Sequence, residues 1–517
     1  MELLHLILIF LFILSLILNY LSLSYKKTSM EIINEMGIGY NLGYIFDCYN
    51  EDVEIKYRIY QITLCGNSFP IKQMISSIKK TGFKTIRFPV TWINFIDDYG
   101  NINSDWMKNV KEVIDIIINS NMYCILNLEN DGKYRNWLSR GIIFKEKFIN
   151  LWSQIAKEFK DYDEHLIFES MDVFEDINYT YPYTDYDYSS LLNLTQSFVD
   201  TIRDSGGNNF DRLLIVSGAG AQIELSCRTY YKLPVDTNKK IAISLHYFEP
   251  YSFTKEEDGF WSWIDDDGNE HIIYSDKDWG DDLDYNELIT NFDLLKSYFV
   301  DKGIPVIISE VGVLTEEGKK IESIREYLYA VFSLSTDYNG ITVCLWDTSN
   351  KTLGNMNYFN RKSKEWYDEK IKNNFKQISR GKYIKPTEYF LKTYSITTYV
   401  VRDEEMYVKI GAIKPLKAIF NIKYNVNPKN AKFILSTYTK SGGLYVFKLK
   451  NSQNKKEYDG TNTFIVDISK IDCYDNIYLT RQSQTNSIDF NYLTIEFEES
   501  FYNFNYKNYK EMMSNYY

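Results

Sequence analysis

The chain has 517 residues, more than one ordinary domain needs, and its 44% hydrophobic and 25% charged residues are those of a protein that folds around a core. A net charge of −12, with no run of lysines and arginines, argues against a nucleic-acid partner. The six cysteines, at 48, 65, 124, 227, 344 and 473, contain no CxxC pair, so no metal site is expected, and no sequence feature asks for a cofactor. Cys124 and Cys344 lie in strand-like runs and read as small core residues, which leaves Cys48 and Cys65 as the disulfide candidates. Aromatic content is high at 16%, with 45 tyrosines; most such rings serve a core, and some suit stacking on sugars.

Residues 1–24 read as a signal peptide or a signal anchor. Leu3 to Leu18 is apolar except for His5 and Ser15, and Ser22-Leu23-Ser24 offers the small-x-small pattern of a cleavage site. Glu2 stands where a basic n-region is usual, and Lys26 and Lys27 follow the run, so an uncleaved membrane anchor over 3–23 is the alternative. Secretion is the favoured reading. The glycan acceptor sequons at Asn178, Asn193 and Asn350 agree with it.

From 30 to 380, short apolar runs alternate with amphipathic helical stretches. The expected strands are Gly37–Leu42, Thr85–Pro89, Tyr123–Leu128, Leu166–Met171, Leu213–Val216, Ile241–His246, Pro305–Glu310 and Thr342–Trp346. Each is rich in Ile, Val and Leu and ends in polar or aromatic residues, as buried parallel strands do. Helical patterns lie between them, for example Ile71–Thr81, Asp105–Ser120 and Lys145–Phe159. Eight such alternations predict a (β/α)₈ TIM barrel, with function at the C-terminal strand ends. A linker is expected over 381–395. From 396 to 500 the period changes to two, with turns at Ser441-Gly-Gly443 and Asp459-Gly460, which predicts an antiparallel β-sandwich. That sandwich has tyrosines suited to binding polysaccharide. The Asn/Tyr-rich tail, 501–517, has no clear element.

Taken in order, the strand ends carry Gly39-Tyr-Asn41-Leu-Gly43, Thr85-Ile-Arg87-Phe-Pro-Val-Thr-Trp92, Ile167-Phe-Glu-Ser-Met171, Ser244-Leu-His246-Tyr247, Ile308-Ser-Glu310-Val-Gly312 and Leu345-Trp346-Asp347. Together they resemble glycoside hydrolase family 5, especially its endo-β-1,4-glucanases, over about Gly37 to Trp346. The resemblance implies retaining hydrolysis of a β-glucan, with Glu310 as nucleophile and Arg87 supporting the carboxylates. It also implies His246, Tyr247 and Asn41 around the sugar and Trp346 as a stacking platform.

The chain departs from that family where it matters most. Asn-Glu-Pro is expected after the fourth strand, and Asp172-Val173-Phe174 stands there, putting valine at the acid/base position. A histidine pair is expected after the third strand, where Glu129 and Asn130 stand. Retaining chemistry asks for two carboxyl groups ~5–5.5 Å apart, and an isopropyl group carries no proton. By the resemblance Asp172 replaces the asparagine that would bind the sugar 2-hydroxyl, and strand parity turns it away from the face that Glu169 and Val173 share unless the strand has already turned. Three readings follow: a carbohydrate-binding pseudo-glycosidase; an active endo-glucanase using a displaced acid such as Glu175 or Glu129; and a membrane-anchored structural protein.

Overall fold

The computed structural model describes residues 26–47, 71–129 except 98, 142–173, 185–255 except 229, 260–264, 270–274, 276–348 except 316 and 317, and 355–397. Beyond these it describes the strands between 400 and 504 and residues 510 and 512. The apolar run at 3–23, the Cys48–Cys65 segment, Asn130, Glu175 and the sequons at Asn178 and Asn350 lie outside the described residues. Among the described residues no helix is long and apolar enough to cross a membrane.

Eight parallel strands close into a barrel: β1 (Gly39–Asn41), β2 (Thr85–Phe88), β3 (Tyr123–Asn127), β4 (Leu166–Glu169), β5 (Leu214–Ser217), β6 (Ile241–Tyr247), β7 (Val306–Val311) and β8 (Ile341–Leu345). Each strand is covered inside and out, and this is why its sequence is largely apolar, with polar residues kept mostly to its C-terminal end. Helices form the outer layer. Ile71–Thr81 buries Ile71, Met74, Ile75 and Ile78, spaced so that one stripe faces the sheet. The helices Ser104–Asn119, Ile142–Phe159, Asp185–Asp204, Asp282–Tyr298 and Ile321–Tyr338 complete the ring.

The barrel interior changes character along its axis. Near the N-terminal strand ends, Tyr123, Ile125, Ile167, Leu213, Ile215, Ala242, Ile307 and Cys344 form an apolar layer. The helix Ser29–Met36 closes this end with Ile32, Ile33 and Met36. That helix starts with a capping box, in which Thr28 Oγ1 accepts from the Glu31 amide and Glu31 accepts from the Thr28 amide. Gly39 is required by close approach, because a Cβ there would overlap Cys344 Sγ. Toward the C-terminal ends the inward residues turn polar: Asn41, Arg87, Asn127, Glu169, Ser244 and Ser309 are all buried.

Elements not anticipated from the sequence include the capped N-terminal helix, an antiparallel hairpin, Phe260–Ile264 with Glu270–Tyr274, in the β6–β7 connection, the short ribbon Phe359–Asn360 with Glu365–Trp366, and the helix Glu369–Ile378. Past the 3₁₀ turn Pro386–Tyr389, the strands pair antiparallel in two five-stranded sheets. Phe390–Thr397 pairs with the long strand Ile488–Phe504. Strand structure thus begins inside the stretch expected as linker and runs into the expected tail. The last described residues return to the barrel, where Lys510 Nζ donates to the Gly280 carbonyl and pairs with Glu326.

Candidate active site

Arg87 is the organising cation at the mouth. It is fully buried on β2, and its Nε donates to Glu169 Oε2 at 2.7 Å. Nη1 reaches Asn41 Oδ1 and Glu310 Oε1, both at 3.1 Å, and Nη2 reaches Asp172 Oδ1 at 2.6 Å. One guanidinium therefore joins residues from β1, β4, β7 and the turn after β4. Burial disfavours its charge, but Glu169, Asp172 and Glu310 outweigh that and hold it firmly protonated. Below it, Ser244 Oγ donates to Glu169 Oε1 at 2.6 Å, and Asn41 Nδ2 donates to the Ser309 carbonyl at 2.7 Å. Glu169 is thus a deep support.

Asp172 lies where strand parity did not put it. The β4 ladder ends at Glu169 and the chain bends at Asp172, whose amide donates to the Leu128 carbonyl. The bend brings the carboxylate into the cleft, where Oδ1 also faces His246 Nε2 at 3.2 Å. Burial alone would raise its pKa, but His246 and Arg87 together hold the carboxyl well below the usual range. His246 pairs in register with Glu310 across β6 and β7, with Nδ1 3.9 Å from Glu310 Oε2. Burial lowers the imidazole pKa, but Glu310 and Asp172 raise it more, for a net upward shift. Glu310 itself is raised, first by burial and then by Asp172, against the pull of His246, Arg87 and Lys255.

Val173 follows Asp172 and is 8% exposed. Glu129, partly exposed at the end of β3, receives Asn127 Nδ2 on Oε2 at 3.1 Å. Its carboxyl is pushed well above the ordinary range by burial and by the neighbouring Asp172 charge. Tyr247 does not join this group. Its ring faces the helix layer, edge-on to Phe292 at 5.6 Å and parallel to Tyr327 at 6.5 Å. Strand alternation explains this, since His246 takes the inward position and the next residue must point out. Phe248 follows, edge-on to His246, with Lys255 Nζ 3.8 Å over its ring. Burial lowers the Lys255 pKa, although Glu310 and Asp172 oppose that. Neither residue was singled out from the sequence, because loop residues carry no periodic signal.

Trp346, just past β8, is partly exposed and lies beside Tyr44, with ring centroids 6.3 Å apart. Asp172, His246 and Glu310 each offer one ligand atom within 4.8 Å of the others. Arg87 already engages both carboxylates of that set, however, so its charge is largely neutralised from within.

The cellulase family profile (glycosyl hydrolase family 5) matches residues 47–352. Endoglucanase A of Clostridium longisporum is 31% identical over 359 residues, covering 67% of this chain and 65% of the relative. A GH5-4 broad specificity endoglucanase from an uncultured bovine rumen ciliate superposes with a TM-score of 0.65 at 52% identity, covering 69% of this chain and 99% of that one. A GH5 lichenase mutant from Caldicellulosiruptor sp. F32, complexed with cellotetraose, superposes at 0.60 with 28% identity, covering 69% and 96%. With its closed eight-stranded barrel and its charged mouth around Arg87, the chain belongs to glycosyl hydrolase family 5.

Proposed function

We propose that this protein binds β-glucan chains in the barrel mouth and has lost ordinary hydrolysis through loss of its general acid. The observation that carries this reading is Val173, an apolar side chain at the position after β4 where the family resemblance calls for a proton donor. In this reading Glu310 remains the nucleophile, held toward the cleft by Arg87. Asp172 has an oxygen within 4.8 Å of one on Glu310, close to the spacing of a retaining pair. Its proton is gone at neutral pH, because Arg87 and His246 stabilise the carboxylate. It cannot protonate a leaving oxygen.

The test is Val173→Glu, assayed on a soluble β-glucan. Restoring a general acid should raise turnover by ~10²–10⁴-fold. The wild type should cleave only activated aryl glycosides, whose leaving groups need no protonation, and Glu310→Ala should abolish that. A well-folded Val173→Glu protein with unchanged turnover would overturn the disarmed-site reading.

A second reading is favoured by one observation. Glu129 is partly exposed, and burial and the Asp172 charge push its carboxyl well above the ordinary range, the direction a displaced acid requires. It predicts wild-type turnover of natural glucan that Glu129→Gln removes. No such turnover in the wild type would end it.

The two C-terminal sheets are read as one accessory β-sandwich, and the chain as secreted after cleavage near Ser24. Cellulose binding that survives Glu310→Ala with Trp346→Ala would place a second glycan surface there, and its loss would count against one. N-terminal sequencing of the mature protein decides between cleavage and an anchor over 3–23.

A further inference from the structure

Tyr44 follows β1 with a backbone φ of 54°, in the left-handed region. That conformation is uncommon for any residue with a side chain and an outlier for a bulky one. It persists because the neighbourhood over-determines it. The Asp47 carboxylate accepts from the Tyr44 and Ile45 amides, each at 2.8 Å. Trp346 lies across the backbone just before it, so close that a Cβ on Gly43 would sit 2.9 Å from Trp346 Cη2. Arg361, buried, donates to the Gly43 carbonyl with one nitrogen and to the Asp347 carbonyl with another. The residue before Tyr44 and the residue after Trp346 are therefore tied to one guanidinium.

These restraints leave Tyr44 37% exposed beside the partly exposed Trp346, the two rings inclined at 55°. Tyr44 stands three residues past Asn41, the β1 residue that shares Arg87 Nη1 with Glu310, and burial, then Asp47, Glu310 and Glu129, shift its hydroxyl pKa upward. A core tyrosine would not be left so exposed, nor would a surface tyrosine be held in strained backbone by three separate contacts.

We propose that Tyr44 is a sugar-stacking, specificity-determining residue that forms an angled aromatic clamp with Trp346 around a glucosyl ring next to Glu310. The proposal rests on the β-glucan reading above. Pyranose rings present flat C–H faces to aromatic surfaces, so two inclined rings offer one glucosyl ring two apolar surfaces to pack against.

The test is calorimetric titration of the full chain with cellotetraose, for the wild type, Tyr44→Asn and Tyr44→Phe, with Tm measured alongside. Asparagine tolerates the left-handed backbone, so Tyr44→Asn should keep or raise Tm while weakening affinity about tenfold, the size of one aromatic contact. Tyr44→Phe keeps the ring and should bind within about threefold of wild type. Unchanged affinity in Tyr44→Asn would overturn the clamp and leave β-glucan binding intact. A Tyr44→Phe loss as large as that of Tyr44→Asn would overturn stacking, because the hydroxyl would then carry the effect. A wild type that takes up no cellotetraose would remove the β-glucan reading and the clamp with it.

Discussion

At the residue scale, the site is governed by how charges share one small volume. Glu310 and Glu129 are shifted upward by burial and by the Asp172 charge, whereas His246 and Arg87 shift Asp172 downward. The His246 pKa is raised in the folded state, so its contribution to stability is present in full below the unfolded value of about 6.5 and disappears as pH rises through the folded one. His246→Gln should therefore lower Tm more at about pH 6 than at about pH 9, as read by calorimetry. An equal loss at both would show that the imidazole is held neutral. Asp172 obeys the opposite sign: its contribution is present above the usual carboxyl range and fades only as pH falls through its depressed pKa. Asp172 also adds negative charge beside Glu310. Asp172→Asn combined with Val173→Glu should therefore turn over β-glucan faster than Val173→Glu alone, by roughly tenfold for each ~1.4 kcal/mol of barrier relieved. A slower double variant would mean that Asp172 positions the sugar better than asparagine does.

At the element scale, Arg87 binds strands that are distant in sequence. Removing it would leave Glu169, Asp172 and Glu310 buried around an empty space. Breaking a buried ion network in this way typically costs about 3–5 kcal/mol. Arg87→Ala should accordingly lower the denaturation midpoint severely, and a loss under about 1 kcal/mol would mean that the network contributes little. The N-terminal helix is a second case. Its eight residues are too few to be stable alone, so the Thr28–Glu31 capping box and the apolar plug must hold it. Thr28→Ala should cost about 1 kcal/mol in chemical denaturation. The helix was not read from the sequence, because eight residues beside the strongly apolar run at 3–18 offer little periodicity.

At the scale of the whole molecule, the end of the chain returns to the barrel. Lys510 pairs with Glu326 at 3.5 Å, and Tyr285 donates to the same carboxylate at 2.9 Å. The lysine is part exposed, so Lys510→Ala should cost no more than about 1 kcal/mol, seen as a small fall in barrel Tm. No change in Tm would mean that the tail does not rest on the barrel in solution.

How much of this was legible follows from which interactions are local. The eight barrel strands could be read directly because a strand buried on both faces is mostly apolar, as Ile167–Phe168 and Val306–Ile308 show, with its polar residues kept mostly to the end that lines the site. Glu310 and Val173 could be placed by their order along that pattern. The direction of Asp172 could not, since parity holds only while a strand continues, and this one bends after Glu169. Tyr247 misled for a related reason: its neighbour His246 took the inward position. Tyr44 was passed over because nothing in Gly43-Tyr44-Ile45 announces a left-handed backbone, which here depends on Asp47, Trp346 and Arg361.

By itself, then, the amino-acid sequence determined the barrel, the family and the absence of a carboxyl group at position 173, since all three are properties of residue types in order. Only the tertiary structure decided that one arginine joins three carboxylates, that Asp172 enters the cleft and that Tyr44 stands beside Trp346. Those partners are tens to hundreds of residues apart, and only closure of the barrel brings their side chains within bonding distance.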